Sequence, residues 1–123
     1  MYESKIIIAN VIRDKDRNSD NFGKWIYAEK VAEIDLGCMG YGNGWKELFT
    51  TKIDFKLFVD NMDCSTREDK YGDIMKVGDL KAIIKWLEDH SEITPRRTHT
   101  LLAMLKSLNP LEWEELHIVH YGY

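Results

Sequence analysis

Ile6-Ile7-Ile8-Ala9-Asn10-Val11-Ile12 is the stretch that decides the architecture. It carries apolar side chains at both odd and even positions. A strand with one wet face would alternate, so this pattern predicts a strand in the middle of a sheet, or one covered on both sides. From Asp14 to Asn21 the chain turns polar and rich in Asp and Asn. Trp25 to Leu36 then reads as a second, longer strand. Its even positions Ile26, Ala28, Ala32, Ile34 and Leu36 form one apolar face, interrupted by Lys30. Glu29, Glu33 and Asp35 fall on the opposite, exposed face. The two strands make an antiparallel hairpin with a long tip, although Ala28 to Leu36 also fits a helix.

Beyond Leu36, four glycines between Gly37 and Gly44 mark a sharply bending loop. Trp45 to Phe49 suits one short helical turn. Lys52 to Asp60 alternates again: Ile53, Phe55, Leu57 and Val59 on one side, Asp54, Lys56 and Asp60 on the other, with Phe58 breaking the polar side. The alternation predicts a third strand there. Asn61 to Asp73 is turn-prone. Asp79 is placed to cap a helix running through Glu88, with Leu80, Ile83, Ile84 and Leu87 as its apolar stripe and Trp86 off the centre. Pro95 suits the first turn of a second helix, whose stripe is Leu101, Met104, Leu105 and Leu108. Asn109-Pro110 stops it, and Trp113 to Glu115 adds a final turn. Leu116 to Tyr121 is a last strand with bulky groups on both faces, expected inside the sheet.

The sum is an α+β domain spanning residues 1–123: an antiparallel sheet of about four strands with two helices packed on one face. A doubly wound α/β fold would need a helix between successive strands, and the first connection is too short for one.

Composition agrees with a globular chain. Of 123 residues, 44% are apolar and 31% charged, a balance that can build a core without metal or disulfide support. The net charge of −4, with Lys and Arg dispersed among acids, argues against broad binding to a nucleic-acid backbone and suits a basic partner surface. Residues 1–12 lack the long apolar core and small-residue cleavage site of a signal peptide. No stretch is long enough to cross a membrane. A cytoplasmic location is therefore expected, with Cys38 and Cys64 as free thiols.

Candidate chemistry is sparse. Asp14-Lys15-Asp16-Arg17-Asn18-Ser19-Asp20 spaces oxygen ligands in the manner of a calcium loop, but Ser19 and Trp25 stand where that loop needs Gly and Glu. The reading is a solvated hairpin tip. Gly37 to Gly44 lacks the Gly-Lys-Ser/Thr ending of a phosphate loop. His117 and His120 differ by an odd number along a strand and point to opposite faces, so they do not make one metal site. No metal or other cofactor is expected. Arg96 and Arg97, with His99, form the densest basic cluster, at a helix start that could grip a phosphate or carboxylate. The remaining feature is a recognition surface: Tyr41 and Asn43 on the glycine-rich loop, Trp45 beside it, and Glu29 and Glu33 steering a basic partner.

The string Asp69-Lys70-Tyr71-Gly72-Asp73, the helix around Trp86-Leu87-Glu88, the Arg96-Arg97 pair and the closing Val119-His120-Tyr121-Gly122-Tyr123 are similar in general character to small accessory proteins of bacterial phages and prophages. The resemblance implies a protein that binds and blocks host machinery, including nucleic-acid-guided immunity in the anti-CRISPR manner. It carries over no catalytic residue. Three functions follow as expectations. The first is a non-enzymatic inhibitor or accessory protein whose partner is a host protein or complex. The second is a nucleotide- or nucleic-acid-processing enzyme with a cleft near Arg96, Arg97 and His99. The third is a homo-oligomer subunit whose tryptophans lie between chains.

Overall fold

A computed structural model describes residues 3–37, 44–59, 64–90 and 97–122. Five strands form one antiparallel sheet: β1 (Ser4–Arg13), β2 (Trp25–Gly37), β3 (Phe49–Lys52), β4 (Lys76–Gly78) and β5 (Leu116–Gly122), in the order β2-β1-β5-β4-β3. Helices α1 (Leu80–Asp89) and α2 (Arg97–Ser107) lie between β4 and β5 in the chain. The α+β class and the pair of helices on one face agree with the sequence reading, and the sheet has one strand more than expected.

β1 is flanked by β2 and β5, and its residues from Ser4 to Val11 are buried. Its two faces feed two cores. Ile6 and Ile8 pack with Ile118, Trp45, Phe49 and the helix residues Ile83, Leu87, Leu101 and Leu105. Ile7, Ala9 and Val11 pack with Val119, Tyr121, Met75 and the run Ile53, Phe55, Leu57 and Val59. A strand apolar on both sides is therefore what this sheet needs at its centre.

The expected third strand over Lys52 to Asp60 is corrected. The ladder takes Phe49–Lys52 instead, and Ile53 to Val59 leaves the sheet. This segment lies against the second face, bound by an Ile53 N–H to Met75 carbonyl bond and by an isolated bridge between Leu57 and Thr66. Its alternating burial is the predicted one: Ile53, Phe55, Leu57 and Val59 are buried, while Asp54, Lys56 and Phe58 are exposed. Period-two burial needs an extended chain on a surface, and here that surface is a sheet the segment does not join. Lys76–Gly78, the strand with no sequence signal, supplies the missing partner for β3.

The hairpin of β1 and β2 is as expected, but β2 uses 13 residues against ten in β1. The register skips Ile26, Val31 and Leu36. Each extra residue is a bulge, and each reverses which face the following side chains address. Ile34 and Ala32 stand opposite Ile6 and Ile8 on the helix side. Past Val31, Ala28 stands opposite Val11 and joins the second core. The expected single apolar face of β2 is thus divided between the two sides.

The helices form where the stripes placed them. The Asp79 carboxylate accepts the Ala82 N–H at 3.0 Å and caps α1. Ile83, Trp86 and Leu87 are the buried residues of α1, so Trp86 belongs to the core face; its ring stacks on His90 at 4.0 Å between centroids. The expected turn at Trp113 to Glu115 lies three residues earlier, as a 3-10 turn over Pro110–Glu112 capped by Asn109. Pro95 lies outside the described residues.

Candidate functional site

Of the expected recognition surface, Trp45, Glu29 and Glu33 lie among the described residues. Trp45 is 2% exposed and packs its ring between Phe49 and Trp86, at centroid distances of 5.2 and 5.1 Å. It is a core residue because the helix-side core needs a large side chain between α1 and β3. Tyr41 and Asn43 lie outside the described residues, as do Cys38 and Arg96. Glu29 and Glu33 do not share a face. The Val31 bulge puts Glu29 opposite Asn10 on the helix side, where it accepts a bond from Asn10 Nδ2 at 2.9 Å. Glu33 stands opposite Ile7 on the other side, 3.0 Å from both Lys5 and Lys30. Burial raises the Glu33 carboxyl, but the hydrogen bonds from Lys5 and Lys30 outweigh it and hold the group below its ordinary value. A steering pair acting on one partner surface is ruled out by that geometry.

Arg97, of the expected basic cluster, is engaged. Arg97 opens α2, and its guanidinium donates to the Asp35 backbone carbonyl at 2.8 Å and lies 3.4 Å from the Asp35 carboxylate. It guards the outer edge of β2, the long edge strand of the sheet. His99 is exposed on α2. His117 and His120 do take opposite faces. His117 stacks on Phe55 at 5.3 Å, and His120 lies beside Phe49 at 5.1 Å. Among the described residues no group of three His, Cys, Asp or Glu side chains is placed to hold a metal. Cys64 is exposed and unbridged.

The feature missed in the sequence is the end of the hairpin. Asp14 and Asp16 each turn one oxygen to the local backbone: Asp14 Oδ1 accepts the Asp16 N–H and Asp16 Oδ1 accepts the Asn18 N–H. These local bonds, with Gly23 N–H to Asp14 carbonyl at 2.9 Å, fold the tip into successive turns. Gly23 sits at φ +81°, a conformation favouring glycine. The tip and the adjoining start of β2 expose Phe22 (54%), Ile26 (58%) and Tyr27 (52%). Ile26 is exposed because it is a bulge residue with no partner across the ladder. An aromatic residue inside the turn-forming run Asn21-Phe22-Gly23 was the available signal.

This end is braced by a charge network. Arg13, the last residue of β1, donates through Nη1 and Nη2 to the Asp54 carboxylate at 2.8 and 3.0 Å, and through Nε to Glu115 at 2.9 Å. His117 Nε2 donates to the same Glu115 at 3.0 Å. The two-pronged Arg–carboxylate contact has a fixed geometry that a lysine would not reproduce. The Asp54 hydrogen bond foremost, with Glu115, raises the affinity of Arg13 for its proton. The bond from Arg13 lowers the Asp54 carboxyl. Burial raises Glu115, yet the bonds from His117 and Arg13 prevail and keep it low. The network ties the second-face cover to β1 and β5, and beside it Asn21, Lys24, Ile26 and Asp54 line an open hollow.

No helix among the described residues is long and apolar enough to cross a membrane. Comparison of the chain with protein-family models, with curated proteins and with solved structures found no match.

Proposed function

We propose that this chain is a non-enzymatic binding protein that works in the cytoplasm by docking the β1–β2 hairpin end onto a protein partner. Its resemblance to phage accessory proteins points to a bacterial defence complex as the machinery it blocks. One observation carries the reading: Phe22, Ile26 and Tyr27, three of the largest exposed apolar side chains, fall within six residues at one end of the sheet. Exposed apolar residues scattered singly need no explanation, but a group of them on a braced end is what an interface uses. The Arg13 network holds that end in place before any partner arrives, which lowers the ordering cost of binding.

The experiment is capture of partners from bacterial lysate, followed by titration of a purified partner against the parent and the Ile26→Ser/Tyr27→Ser variant. Both side chains are solvent-exposed, so melting is expected to be unchanged. Loss of about 1–4 kcal/mol of binding free energy in the variant supports the assignment. A partner bound equally by parent and variant places the interface elsewhere and overturns it.

A further inference from the structure

We propose that the cleft at the opposite end of the central strands binds a small phosphate-bearing molecule. It opens beside Gly122, the last residue of β5, whereas the hairpin tip follows the last residue of the antiparallel β1. The hollow has a volume of about 540 Å³, within the range of small-ligand sites. Lys46, Lys52, Lys76 and His120 all line it, with the Phe49 ring beside them.

The register sets these basic groups side by side. Lys52 stands directly opposite Lys76, and Lys76 directly opposite His120, so three basic residues form one row across β3, β4 and β5. Directly opposed like charges destabilise a strand pair. Neither Lys52 nor Lys76 forms an ion pair or side-chain hydrogen bond among the described residues. Two carboxylates, Asp69 and Asp73, reach the rim. Asp69 is committed to the backbone: Oδ1 accepts the N–H groups of Tyr71 and Asp73 at 2.8 and 3.1 Å, and Oδ2 accepts that of Gly122 at 3.3 Å. It holds the turn and the end of β5, and the three lysines of the lining outnumber its two carboxylates. A Cβ at Gly122 would meet the Glu3 carbonyl oxygen at 2.0 Å, so the chain is held at this edge by a close backbone approach.

Two opposed ammonium groups suit a ligand with several oxygens around one centre, since each can serve as a point-charge donor. A phosphoryl group has that form, and a diphosphate can span the pair.

The test is a nuclear magnetic resonance titration of the intact 15N-labelled chain with inorganic pyrophosphate, and separately with succinate. The expected result is saturable shifting of the Lys52, Lys76 and Gly122 amide signals by pyrophosphate, weakened by added salt as an exposed charge contact must be. The Lys52→Gln/Lys76→Gln variant should bind at least about tenfold more weakly, while Lys85→Gln on the exposed side of α1 binds like the parent. Without ligand the double variant should melt no lower than the parent, because removing the opposed charges relieves their repulsion. No saturable shift at about 10 mM pyrophosphate, or an unchanged affinity in the double variant, overturns the proposal. Equal affinity for succinate overturns the phosphate assignment. Each readout is independent of the hairpin variants, so this site and the hairpin interface stand or fall separately.

Discussion

The two faces of the central strands are both buried and are covered in different ways. On one face the cover is two helices that satisfy their own backbone hydrogen bonds, and they present Ile83, Leu87, Leu101 and Leu105 from a rigid frame. On the other the cover is an extended segment, Ile53 to Val59, with few ladder bonds of its own. It stays in place through alternating apolar anchors, the Leu57–Thr66 bridge and the contact of Asp54 with Arg13. An irregular cover can bury as completely as a helix: Phe55 and Leu87 are both about fully enclosed. It differs in how freely it can relax when an anchor is removed, and in how much it depends on side-chain ties.

The sharpest way to break this contrast is one substitution made on both faces. Leu87→Ala should cost about 4 kcal/mol, near the upper end for a buried leucine, because the helix frame holds the cavity open. Leu57→Ala should cost about 2 kcal/mol, because the extended cover can settle into the space. Chemical denaturation of both variants measures the difference. Equal costs would mean that the second cover is as stiff as the helices.

A smaller effect is expected at the tie. Arg13→Gln should cost about 1 kcal/mol at neutral pH, the scale of a charge-assisted but partly exposed contact. The sign of its pH dependence follows from the folded state. Asp54 and Glu115 lie below their ordinary values of 3.8 and 4.5, so in acid the unfolded chain binds more protons than the folded one. Their contribution is complete above those values and is lost as pH falls through the depressed ones. The gap between parent and Arg13→Gln should therefore close in acid, and melting curves taken from pH 6 down to about pH 3 would follow it. A gap that widens on acidification would show that Arg13 acts by packing alone.

On the helix side the comparable single tie is the cap. Asp79→Ala should lower stability by about 1 kcal/mol through the lost bond to Ala82 N–H. A loss confined to α1, read as faster amide exchange at Ala82 and Ile83, would keep the helix cover separable from the sheet. The smallest effect belongs to the hairpin end: Ile26→Ser/Tyr27→Ser should change stability by less than about 0.5 kcal/mol, since neither residue supports a cover. A large loss there would make the two side chains part of the fold and remove their claim to an interface.

Much of this architecture was legible because it rests on local periodicity. The double-sided run Ile6 to Ile12 marked the central strand, and the stripes at Leu80–Leu87 and Leu101–Leu108 marked helices that need one buried side each. The Asp79 cap was legible for the same reason, since its partner is three residues away. The candidate site was much less so. Trp45 looked available because it follows a glycine-rich loop, but a tryptophan's burial depends on what reaches it from elsewhere, here Phe49 and Trp86. Glu29 and Glu33 looked paired because an ideal strand has period two. Register is a property of two strands, and the Val31 bulge exists only against β1.

By itself, then, the amino-acid order determined the central and last strands, both helices and which side chains seek burial, because those depend on residues a few positions apart. It determined that Ile53, Phe55, Leu57 and Val59 would be inside. Only the tertiary structure decided that they cover a sheet instead of joining it, that Lys52 faces Lys76, and that Arg13 meets Asp54 and Glu115 across 41 and 102 residues of chain. Those relations need long loops to close first, and the free energy that selects among possible closures is spread over both cores, with no local pattern to record it.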